Sequence, residues 1–218
     1  VRAAIVLAAG ASRRFGQADK LFAKLAGAPL VLHAMRSARA APVGRVIVVA
    51  SRPARIRALA RAQGFRATVV VRTGKYGAPL SDTLRAGIAA LRPIERDAFI
   101  FLGDMPRTDL AMPARLIRAG HGRAGIVRPL YRGTPGHPVL ACRVRRIPIG
   151  QGDRGFRPDP ARVRWIAGSA GCVADVDRRR DLRVLVRRAR AAGRRGTDGA
   201  IAAGRARLYA APSSREAV

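Results

Sequence analysis

The sequence predicts an α/β protein: a mostly parallel sheet with helices packed on both of its faces. Three observations lead there. Short apolar runs, of the kind buried on both faces, recur along the chain. Helical segments separate them, and loops rich in Gly, Pro and Asp follow the strands. The length of 218 residues suits one such domain, and the hydrophobic fraction of 49% is ordinary for a globular chain.

The elements follow in order. Ala3–Ala9 (AAIVLAA) reads as a buried strand running straight into a Gly-rich loop, GASRRFGQADK. Pro29–Ala41 reads as a helix, with Pro29 in its first turn. Arg45–Ala50 is the second strand, and Pro53–Gln63 is a helix stopped by Gly64. Thr68–Arg72 is the third strand, followed by the loop TGKYGAPLS. Asp82 fits the N-cap of a helix reaching Leu91. Ala98–Leu102 is the fourth strand and ends in Gly103-Asp104-Met105-Pro106. A helix over Ala111–Ala119 and strands at Gly125–Arg128 and His137–Ala141 come next. Beyond Gly150 the pattern fades, leaving one structured segment, Val173–Asp177, before a last helix. The domain is therefore expected over residues 1–192, with 193–218 a basic, mobile tail.

Charge alone assigns no function. The 43 Lys+Arg against 13 Asp+Glu give a formal charge of +30, which first suggests a nucleic-acid binder. But only three of the basic residues are Lys, and the excess is spread along the chain rather than gathered in one arm. No zinc spacing, helix-turn-helix or aromatic stacking set accompanies it, so nucleic acid is expected only as a non-specific partner drawn by charge. No apolar run approaches the ~20 residues of a membrane span, so no membrane partner is expected. Two cysteines, Cys142 and Cys172, fit small buried hydrophobes and a reducing, cytoplasmic setting. Arg2, the first apolar run and Ala9-Gly10-Ala11 also fit a signal peptide, although the lone charge and short run argue against it.

In a parallel sheet, ligands bind in the loops after the strands. The first loop has Gly10 and Gly16 for close backbone approach to an anion, Ser12 as a donor, and Arg13, Arg14 and Lys20 as cations. It is neither a dinucleotide fingerprint nor a Walker loop, and on composition alone a phosphate cradle and an ordinary turn are equally good readings. Asp104 directly follows a buried strand, where a carboxylate can hold Mg²⁺ with waters and phosphates completing the shell. Asp109 is the better helix cap of the two. Asp153, Asp175 and Asp177 fit second metal ligands or turns equally well. His137 fits a phosphate contact or a buried strand start.

These residues resemble a known family. Leu7-Ala8-Ala9-Gly10-Ala11-Ser12-Arg13-Arg14-Phe15-Gly16 with Lys20 is similar to the LAAGxSxRxGxxxK signature of the MobA-like nucleotidyltransferases, nearest the molybdenum cofactor cytidylyltransferases. Thr83-Leu84-Arg85-Ala86-Gly87, Gly103-Asp104-Met105-Pro106, Gly136-His137-Pro138, Gly152-Asp153-Arg154-Gly155 and Asp175-Val176-Asp177 follow in family order. The resemblance implies a Rossmann-like, three-layer fold of the nucleotide-diphospho-sugar transferase type. It implies an enzyme using Mg²⁺ to move CMP from CTP onto a phosphorylated acceptor such as molybdopterin, releasing pyrophosphate. Ala8, Ala9, Gly10, Ser12, Arg13, Gly16 and Thr83 would then bind the nucleotide, and Arg14 and Lys20 would neutralise the leaving pyrophosphate. Asp104 would hold the metal, with Asp153 as second ligand. Two features depart from the pattern: Arg178-Arg179-Arg180 replaces a common Thr-Pro-Glu, and Pro158 and Pro160 cut short the helix expected after Gly155. A guanylyl or sugar-phosphate sibling enzyme and a basic nucleic-acid-binding protein are the alternatives.

Overall fold

A computed structural model describes residues 1–10, 15, 19–65, 68–72, 77–106, 109–120 and 125–187. The strands are β1 (Arg2–Ala8), β2 (Lys24–Leu25), β3 (Ala28–Pro29), β4 (Arg45–Ala50), β5 (Thr68–Arg72), β6 (Asp97–Leu102), β7 (Gly125–Tyr131), β8 (Thr134–Pro135), β9 (Val139–Cys142) and β10 (Val163–Ala167). The helices are α1 (Leu30–Ala40), α2 (Pro53–Ala62), α3 (Leu80–Ala89) and α4 (Met112–Ala119), with residues 179–187 forming α5.

The main sheet has the order β10-β7-β9-β6-β1-β4-β5, with β8 paired to β7. β1 pairs in parallel with both β4 and β6, and β4 pairs in parallel with β5. β9 lies antiparallel between β6 and β7, while β10 returns parallel to β7. The sheet is therefore mostly parallel, as the sequence predicts, and its middle strands are apolar throughout because both faces are covered. On one face Val6, Val48 and Phe101 meet Met35 of α1, Ile56 of α2 and Leu116 of α4. On the other, Ile5, Ile47 and Val49 meet Leu84 of α3. This gives three layers, with the carboxyl ends of β1, β5 and β6 on one edge of the sheet. No helix among the described residues is long and apolar enough to cross a membrane.

Several local expectations need correction. Pro29 is the N-cap of α1 rather than part of its first turn. α3 begins two residues before Asp82, with Pro79 at its N-cap; the Pro79 carbonyl accepts from both Thr83 N and Thr83 Oγ1. Asp82 sits instead in the first turn, bonded to Arg85. Val173–Asp177 is a structured segment outside the sheet: a 3-10 turn over Ala170–Val173 leads into it, and Val176 N donates to the Asp104 carbonyl. β10 was not expected at all. Asp109 does accept from Ala111 N ahead of α4, and Gly64 (φ +64°) does follow α2.

Candidate active site

At the carboxyl end of β1 the backbone of Ala8, Ala9 and Gly10 borders a cavity of about 520 Å³. A Cβ added at Gly10 would meet nothing within 4 Å, so the backbone there lies open beside the cavity. Across the cavity lie Gly77–Pro79 and the first turn of α3, including Thr83. Thr83 is buried and its hydroxyl proton is committed to Pro79, so it can offer a ligand only lone pairs.

Lys20 opens the 3-10 turn Lys20–Phe22, where Asp19 accepts from Leu21 N. It is 8% exposed, and its Nζ donates to Asp104 Oδ2 at 2.6 Å and Asp177 Oδ1 at 3.1 Å. Burial alone would depress the ammonium pKa, but the Asp104 and then the Asp177 carboxylate overcome this and hold it above the ordinary lysine value. Lys20 is thus a fixed cation at the strand edge.

Asp104 reaches this point because β6 ends at Leu102 and Gly103 packs tightly behind it. A Cβ on Gly103 would lie 3.1 Å from the Leu7 carbonyl and 3.3 Å from both Ala8 Cβ and Leu21 Cδ2. Asp177 arrives from the far end of the chain. Val176 and Leu185 join Phe15, Leu25 and Leu30 in a small core beneath the site. Asp181 then caps α5 by accepting from Asp177 N and Arg178 N. Half-buried Asp175 has its pKa raised, first by burial and then by the charges of Asp177 and Asp104.

The expected site residues thus divide. Ala8, Ala9, Gly10, Lys20, Thr83, Asp104 and Asp153 all border one cavity. Ser12, Arg13, Arg14 and Gly16 lie outside the described residues. Asp153 sits exposed on the rim, whereas Asp177, which the sequence marks only weakly, makes the second contact to Lys20. Among the described residues no three His, Cys, Asp or Glu side chains form a metal site. Two carboxylates on one ammonium nevertheless form a hard-oxygen set that suits Mg²⁺ or Mn²⁺ once waters and phosphate oxygens complete the shell. Among the described residues the arrangement offers no paired nucleophile and base; it can hold charge and position phosphates.

Comparison with known proteins bears on this arrangement. Residues 4–155 match the MobA-like NTP transferase domain. Rv0371c from Mycobacterium tuberculosis H37Rv superposes with a TM-score of 0.68 at 27% identity, over 85% of this chain and 97% of that one. A structure of Rv0371c in complex with manganese superposes at 0.65, with 24% identity over 85% and 97% of the two chains. A nucleotidyl transferase from Methanothermobacter thermautotrophicus, Mth528, gives 0.70 at 23% identity, over 87% and 98%. No curated protein sequence matches the chain significantly.

Proposed function

Because this chain belongs to the family of MobA-like NTP transferase domains, and is therefore a nucleotidyltransferase, we propose that it moves CMP from CTP onto a phosphorylated acceptor of the molybdopterin type. The observation that carries this reading is the Lys20 ammonium held between Asp104 and Asp177 at the cavity beside Ala8–Gly10. In the reaction an acceptor phosphate oxygen attacks the α-phosphorus in line. The new P–O bond forms as the bond to the β-phosphate breaks, and pyrophosphate leaves with the bonding electrons.

Each residue has a part that follows from its placement. The backbone at Ala8–Gly10 approaches the nucleotide without side chains in the way. Lys20 stays charged throughout and neutralises the negative charge that builds on the departing pyrophosphate. Asp104 and Asp177 would hold a divalent ion, Mg²⁺ in this proposal, with exposed Asp153 close enough to the same cavity to add an outer contact. Such an ion supplies Lewis-acid polarisation of phosphoryl oxygens when bound. Rv0371c binding manganese supports a divalent ion in this family. Arg14, with Ser12, Arg13 and Gly16, completes the proposed triphosphate cradle on the strength of its motif.

The test is nucleotide binding at elevated salt, comparing CTP, GTP, UTP and ATP with and without Mg²⁺, in wild type and Asp104→Ala. Raised salt suppresses attraction by the +30 net charge. The reading expects tightest binding for CTP, dependent on both Mg²⁺ and Asp104. A preference for GTP would move the enzyme to the guanylyl branch. Equal, Mg²⁺-independent binding of all four would overturn the proposal.

A further inference from the structure

Beside the nucleotide cavity lies a second cavity of about 870 Å³ that the reading above does not use. It exists because the two faces of the sheet are covered unequally. α4 packs on one face of β7, β9 and β10, but α3 lies over β1, β4 and β5. Among the described residues no helix covers the other face of β9, β7 and β10. A strap of residues 148–157 crosses it instead, paired to itself through the Ile149–Phe156 bridge. Arg157 N donates to the Pro148 carbonyl, and Gly150 N to the Gly155 carbonyl. The strap is moored to α3, since Arg85 donates to the Gly150 carbonyl and Ser81 N to that of Gly152. Pro158 and Pro160 stop it from continuing as a helix.

The floor under this strap is apolar, with Ile100, Ile126 and Val139, and Arg128 rises from it; Arg157, Asp153 and Asp159 line the cavity from the strap and the chain beside it. Arg128 projects from β7, its Nε donating to the Gly136 carbonyl at 2.9 Å. Among the described residues no carboxylate pairs with it, and burial lowers its pKa. Its neighbour His137 adds no second positive charge: burial, and then the Arg128 charge, push its pKa down to about 4, leaving it neutral. Trp165 on β10 lies in register with Arg128, 47% exposed, and Phe156 of the strap borders the same space. A half-buried guanidinium bonded only to the Gly136 and Pro135 carbonyls still has donors to offer an oxyanion, and flat aromatic walls favour a flat partner. The cavity shares Leu7, Leu80, Leu102 and Asp153 with the nucleotide cavity, so a ligand here adjoins the transfer site.

We propose that this cavity receives the acceptor, and that Arg128 and Trp165 fix its class: a molecule with a flat, weakly polar body whose oxyanion pairs with the Arg128 guanidinium. The acceptor role rests on the nucleotidyltransferase reading above; the ligand class rests on the cavity alone.

Trp165 is the chain's one tryptophan, so its fluorescence reports on this cavity directly. The probe is 1-naphthyl phosphate, compared with uncharged 1-naphthol, at elevated salt and with or without CTP and Mg²⁺. Naphthyl phosphate is expected to quench Trp165 at concentrations at least tenfold below naphthol, with CTP present or absent. Arg128→Gln should erase that preference, Arg128→Lys should keep part of it, and exposed Arg118→Gln, an equal change in net charge, should leave it intact. CTP binding to Arg128→Gln should match wild type, which also shows that the variant folds. Equal binding of the two probes by wild type would overturn the proposal, and that result needs no variant. So would a preference that survives in Arg128→Gln, or displacement of naphthyl phosphate by CTP. Failure of Mg²⁺-dependent nucleotide binding alongside an intact naphthyl phosphate preference would remove the acceptor role and leave the ligand class standing.

Discussion

Gly87 in the middle of α3 is a direct test of how the site is held. Replacing it with Ala should help the helix, since Gly costs about 1 kcal/mol relative to Ala in a helix interior. The structure opposes that gain. A Cβ at position 87 would lie 2.6 Å from Ile5 Cγ2, 3.2 Å from Val49 Cγ2 and 3.5 Å from Ile5 Cδ1. Ile5 and Val49 are fully buried in adjoining strands, β1 and β4, so neither can swing away. The helix must lift from the sheet instead, and overpacking of this kind costs about 1–3 kcal/mol. Gly87→Ala should therefore destabilise by up to about 2 kcal/mol net, and lower Tm by up to roughly 4–8 °C for a chain of this size. Lifting α3 also shifts Leu80 and Thr83 at the cavity edge, so nucleotide affinity should fall with stability. Urea unfolding, thermal melts and nucleotide titration check this together. A variant more stable than wild type would refute the reasoning, because helix propensity would then have prevailed and α3 could not rest on β1 through Gly87.

Other perturbations should separate chemistry from scaffold. Asp104→Ala is expected to lower turnover about a hundredfold or more while far-UV circular dichroism stays native, since a strand-end carboxylate that borders the cavity serves the ligand rather than the core. Lys20→Ala should weaken nucleoside triphosphate binding at least about tenfold and slow turnover as well, read from titration and initial rates. Glu95→Gln should cost about 3 kcal/mol in urea unfolding, because it strands Arg45, whose Nε and NH2 groups meet Glu95 Oε1 and Oε2 at 2.8 and 2.6 Å. Acidification should reveal His137 first. Its pKa is about 4 folded against 6.5 ordinarily, so the unfolded chain binds the extra proton and stability falls, by up to about 3 kcal/mol, as pH drops from 6.5 toward 4. His137→Gln should flatten that window. The Arg45 hydrogen bonds hold the Glu95 pKa below its ordinary value, so its loss comes only at lower pH.

What the sequence discloses of the fold follows burial. β1, β4, β5 and β6 are parallel strands whose apolar runs stand out from the loops around them, and their limits are legible to within a residue. β10 is not, because VRWIA lies at the sheet edge with Arg164 and Trp165 exposed, pairs on one side only, and shows neither alternation nor an apolar run. The start of α3 is misplaced for a local reason. Asp82 has the right chemistry for an N-cap, but Pro79 sets the helical φ earlier and its carbonyl takes the first bonds. Glu95, one of only two glutamates, has no meaning in the sequence; in the fold it joins the β4 entrance to the turn before β6.

The site is legible where its residues are close in sequence and obscure where the fold alone unites them. The loop glycines, Lys20 and Asp104 each sit beside a strand end, so their common edge follows from the α/β pattern. Asp177 stands 157 residues from Lys20 and reaches it only because Val176 and Leu185 pack against Phe15, Leu25 and Leu30. Spacing cannot choose between it and Asp153, since both follow short turn-like motifs. Geometry separates them: Asp177 contacts the ammonium, while Asp153 lies where the two cavities meet. Arg128 is the extreme case. It is one arginine among forty, and the strongly basic composition hides it completely. Most of the others among the described residues are exposed to water and counter-ions, so their charge needs no partner from the fold. Arg128 instead is half-buried over an apolar floor beside a neutral imidazole, with no carboxylate against it among the described residues. In so basic a chain, the arginine that the fold sets over an apolar floor tells more about the ligand than all those that lie in open water.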